Sequence, residues 1–77
     1  MTDKQTQAKC DKIVAKSART MVECGASVPM VLDRMLTYAT AQACSIGGSV
    51  EAAKMFRHIA AQIEAGVFAH VEPGKGR

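Results

Sequence analysis

The chain has 77 residues, a formal net charge of +3, 48% hydrophobic residues and only 4% aromatic ones. That length supports one small domain, and a chain of this size buries only about 60% of its unfolded surface, so its stability depends on close helix packing, a metal, disulfides or a partner. Scarce aromatics argue against a β-sandwich, and the mild positive charge permits an acidic partner without demanding one.

Cys10, Cys24 and Cys44 are dispersed and odd in number. No secretory-type segment precedes them, so the expectation is a reduced, cytoplasmic chain whose thiols act as small apolar side chains. The longest uncharged run, residues 35 to 50, holds Thr37, Thr40, Gln42, Ser45 and two glycines. It is too polar and too short to span a bilayer, and no membrane association is expected.

Residues 1 to 8 are polar and are expected to fray, although Thr2 and Gln5 have capping-box spacing. From there to Cys24, small and apolar residues recur at Cys10, Ile13, Val14, Ser17, Ala18, Met21 and Val22, the period of an amphipathic helix. Gly25 is placed to end it, Ser27 offers the next N-cap, and Pro29 is tolerated in a first turn. A second helix is predicted from about Val28 to Ile46, with Val28, Val31, Leu32, Met35, Leu36, Ala39, Ala43 and Ile46 on its core face.

Gly47 and Gly48 are expected to stop that helix, one of them with a positive φ. Ser49 then caps a third helix, with Glu51 in its first turn and Ala53, Phe56, Ile59, Ala60 and Ile63 buried. Gly66 terminates it, with Val67 and Phe68 folding back onto the last turn. Residues 70 to 77 lack any period and read as a flexible tail. The fold class is therefore all-α: a small three-helix domain over residues 9 to 69, with short glycine-containing loops and a disordered C-terminal tail.

The glycine pair also raises a helix-turn-helix reading. Ala43, Gly47, Ala53 and Phe56 have the required spacing, but Gln42 and Gly48 stand where apolar residues are expected. The residues that would face DNA are Ser49, Lys54, Arg57 and His58, alongside Val50, Met55 and Glu51. A carboxylate at the groove entry repels phosphate, and two or three basic groups fall short of the roughly six phosphate contacts that are ordinary for DNA affinity. DNA binding stands as the alternative to a plain hairpin.

Basic residues gather instead on the first helix. Lys9, Lys12, Lys16 and Arg19 lie within about 80° of one another around its axis. The ridge suits an acidic protein face or a phosphate backbone, or is simply the solvated side, softened by Asp11 and Glu23. Met30, Tyr38 and Met55 lie outside or at the edge of the core stripes, as residues of an adaptable binding surface do.

No spacing of cysteine and histidine matches a zinc site, His58 and His70 read as solvated histidines, and no cysteine has both a base and an orienting third group beside it in sequence. No metal, cofactor or catalytic residue is expected, and the chain is short for a substrate pocket. What the residues support is a small non-enzymatic regulator, adaptor or inhibitor of a larger protein, acting through helix-mediated association and itself a homodimer. By size and type such chains are common among phage and mobile-element accessory proteins. Partner-binding candidates are Lys9, Lys12, Lys16, Arg19, Met30, Tyr38 and Met55. The dimer interface is expected on the second helix, with the first as second candidate.

Overall fold

The computed structural model describes residues 2–74. Among them are two α-helices, α1 (Asp3–Glu23) and α2 (Val28–Glu64), and a short 3₁₀ turn, Ala69–Val71. The all-α class is thus met. The chain divides into two units, Met1–Tyr38 and Ala39–Arg77.

In the first unit, α1 starts earlier than its apolar period suggests. Residues 3 to 8, expected to fray, form its opening turns, because the Thr2 amide donates to Gln5 Oε1 at 2.9 Å and the Gln5 amide donates to Thr2 Oγ1 at 3.1 Å. This reciprocal box satisfies two orphan donors, and Asp3 in the first turn suits the positive end of the helix dipole. Met1 lies outside the described residues.

The end of α1 is tied as firmly. Gly25 takes φ 103° and donates to the Val22 carbonyl at 2.9 Å, while the Ala26 amide reaches the Met21 carbonyl at 3.0 Å. This is a Schellman motif, and its left-handed residue has to be glycine to avoid a Cβ penalty. Ser27 caps α2 by accepting the Met30 amide on Oγ at 3.2 Å, and Pro29 sits in the first turn, where its missing N–H costs nothing.

In the second unit the expected three-helix layout needs correction. Gly47 and Gly48 do not open a loop between separate helices: α2 runs through them to Glu64, with Gly48 alone leaving helical geometry (φ 82°, ψ 166°). One residue in a region open essentially to glycine redirects the chain without the length of a hairpin connection. The expected third helix is the part of α2 beyond this kink, so one of the two expected loops is absent. After Glu64 a second Schellman motif closes the helix, with Gly66 at φ 87° and bonds from Gly66 to Ile63 and from Val67 to Gln62. His70 and Val71, assigned to the flexible tail, belong to the 3₁₀ turn. The part of that tail formed by residues 75–77 lies outside the described residues.

The largest departure concerns the core. Val31 and Ala52 are the buried hydrophobic residues among those described. Ala18, Met21, Met35, Ala43 and Phe56 are half-buried, whereas Ile13, Val14, Val28, Leu32, Leu36, Ile59 and Ile63 are exposed, and Ile46 is 85% exposed. Ala53, expected in the core, is exposed, and its neighbour Ala52 is buried instead. Periodicity identifies which face of a helix is apolar, but covering that face needs a neighbour.

Candidate protein-binding surface

Within the first unit, the last turns of α1 and the first turns of α2 enclose an open groove of about 410 Å³. Ala18, Val22, Val28, Val31, Leu32 and Met35 line it, with Arg19 and Glu23 at its edge. The tied turn at residues 24 to 27 sets this geometry. Val31 is the buried floor, while Val22, Val28 and Leu32 are about half or more exposed on the walls. Such a groove offers apolar contact and two opposite charges, a lining suited to side chains of another helix.

Arg19 and Glu23 are one helical turn apart, both exposed, and are not joined by an ion pair among the described residues. Glu23 is the last residue of α1, where the negative end of the dipole disfavours a carboxylate, and no basic residue occupies that turn. The pair also has the less favourable order, with its cation N-terminal to its anion.

Of the residues singled out in the sequence, Lys9, Lys12 and Lys16 are exposed along the regular helix α1, so with Arg19 they share one side of it. Arg19 joins this ridge to the groove edge. Met30 and Tyr38 are exposed on α2 at 51% and 68%. Neither Met30 nor Tyr38 lines the groove. From sequence alone Glu23 reads only as a charge that softens the ridge. Its position four residues after Arg19 and two before a terminating glycine is the signal that marks it.

The second unit holds the other candidates. Ser49, Lys54, Met55, Arg57 and His58 are all exposed on the stretch of α2 after Gly48. Lys54 Nζ lies 3.3 Å from Glu51 Oε1, so the best-placed cation for phosphate is engaged by the carboxylate beside it. The pair is solvent-exposed and adds little stability, but it halves the local positive charge available to a polyanion. Ile46, Val50 and Met55 give this unit its own exposed apolar positions.

The three thiols are unpaired and exposed, rather than acting as small core residues. Among the described residues no helix is long and apolar enough to cross a membrane, and no cluster of three or more His, Cys, Asp or Glu side chains is arranged to hold a metal ion. Comparison with protein-family models, curated proteins and solved structures finds no match to this chain.

Proposed function

We propose that this chain is a small, non-enzymatic binding protein, a cytoplasmic regulator, adaptor or inhibitor that acts on a larger protein through its apolar helix faces. One observation carries the reading: the apolar stripes that a helical domain normally buries are exposed along both α-helices, from Ile13 and Val14 to Ile59 and Ile63. Exposed apolar surface on this scale marks an interaction site. Exposed methionines at 30 and 55 add the adaptable contacts that binding surfaces favour. The mild positive charge and the Lys9–Lys12–Lys16 ridge favour an acidic rim on the partner. Reduced, unpaired cysteines fit a cytoplasmic setting.

A photoreactive side chain placed at Ile46 in the full chain, and separately at Asp11 as a polar control, tests this in cells. The expected result is a discrete adduct to a larger protein from position 46 and none from position 11. Irradiation products at position 46 that contain only solvent-quenched chain would overturn the reading.

A further inference from the structure

We infer that the groove between α1 and α2 is filled by the same groove of a second copy, giving a two-fold dimer whose rim is locked by reciprocal Arg19–Glu23 pairs. The inference rests on the association reading above and names one of its partners.

Two observations support a second copy as the occupant. First, the first unit is a helical pair of fewer than forty residues whose buried hydrophobic side chain is Val31. Units of this size ordinarily need a staple or a partner, and no disulfide is present, since all three cysteines are free.

Second, the groove edge is self-complementary. It carries one cation and one anion, four residues apart on α1 and not paired with each other. In a two-fold contact, residue i of one copy meets residue j of the other and the reverse holds as well. Arg19 of each protomer then meets the partner's Glu23, and Glu23 at the helix C-terminus gains the cation its own chain does not place there. The half-exposed walls, Val22, Val28 and Leu32, become the dry centre inside that charged rim.

Charge exchange tests the pairing directly, because all four charges are exposed and their replacement leaves each helix intact. Sedimentation equilibrium of the full chain from about 1 to 200 µM should give twice the single-chain mass. Arg19→Glu alone and Glu23→Arg alone should each weaken the dimer by about tenfold or more, since either change turns both rim pairs repulsive. An equimolar mixture of the two variants should restore a dimer of unlike chains, and the double exchange should restore self-association. Lys4→Glu, an equal charge change at the far end of α1, should leave the dimer unaltered.

A chain that stays monomeric at 200 µM overturns the inference, as do single variants that dimerise like the wild type or a mixture that fails to recover. The two readings fail separately. A monomer that still gives the adduct at position 46 removes the dimer and keeps the larger partner, while a charge-dependent dimer without that adduct does the reverse.

Discussion

Gly47 and Gly48 are neighbours in sequence and opposites in geometry: Gly47 keeps helical dihedrals, whereas Gly48 stands at φ 82° and ψ 166°. A Cβ added at Gly47 would meet only Glu51 Cβ at 3.6 Å, an ordinary contact, and one added at Gly48 would meet nothing within 4 Å. Space is therefore not what separates the two positions; backbone conformation is. Gly47→Ala is expected to stabilise the chain by about 0.4–1 kcal/mol, because it removes unfolded-state freedom at a helical site. Gly48→Ala is expected to destabilise it by about 1–3 kcal/mol, the strain of a side chain in a glycine-only region. Urea unfolding of the two variants checks both signs, and equal effects would contradict the kink.

Ser27 Oγ accepts the Met30 amide at the start of α2. Ser27→Ala should cost about 1 kcal/mol, and Ser27→Gly only a few tenths, because glycine leaves the orphan amides open to water. Thermal melts at one fixed protein concentration are the measurement. A glycine variant as unstable as the alanine one would mean that Ser27 acts through something other than its cap.

Val31 and Val14 are both apolar positions on regular helix, one buried and one 55% exposed. Val31→Ala should cost about 1–2 kcal/mol from lost burial and the space left behind. Val14→Ala should stay within about 0.5 kcal/mol. Comparable losses at the two sites would show that the outer face of α1 is covered in solution, and would move the interface away from the groove.

The basic ridge has its own test. Reversing Lys12 and Lys16 to glutamate should leave helix content by circular dichroism unchanged while weakening the larger partner's binding by about tenfold or more, if that partner presents an acidic rim. Unchanged affinity would return the ridge to plain solvated surface. With Lys54 engaged by Glu51, the chain is expected not to bind random duplex DNA at about 50 mM salt. Tight binding that falls steeply as salt rises would bring the DNA reading forward instead.

Much of the local structure was legible because it depends on near neighbours. Thr2 with Gln5, Gly25, Ser27 and Gly66 each do in the structure what their residue types suggest, since a cap needs only a short side chain or a missing Cβ within one turn. Three things were not legible. The helix start at Asp3 was hidden because the apolar period begins only at Cys10, and a cap can carry a polar turn that no core demands. The separation of a third helix was overread, because a Gly-Gly pair fits a loop and a single-residue kink equally well from spacing alone. Burial failed for a different reason. Leu32, Leu36 and Ile46 fall on the stripe the period marks, yet exposure depends on what lies opposite them, which no window of sequence contains. The candidate groove was thus present as residues but not as a site, and Glu23 was passed over because its significance comes from the end of a helix and from Arg19.

The four-residue turn joining α1 to α2 bears on timing as well as shape. The amides of Cys24, Gly25 and Ala26 all bend back onto carbonyls of the last turns of α1, and Ser27 holds the opening of the next helix. Such a turn leaves few torsions to be chosen when a partner arrives. Docking then loses little ordering entropy, and encounter is limited by orientation, in the range of about 10⁵–10⁷ M⁻¹s⁻¹, instead of waiting on folding. Loosening this turn should slow capture before it alters how long the captured complex lasts.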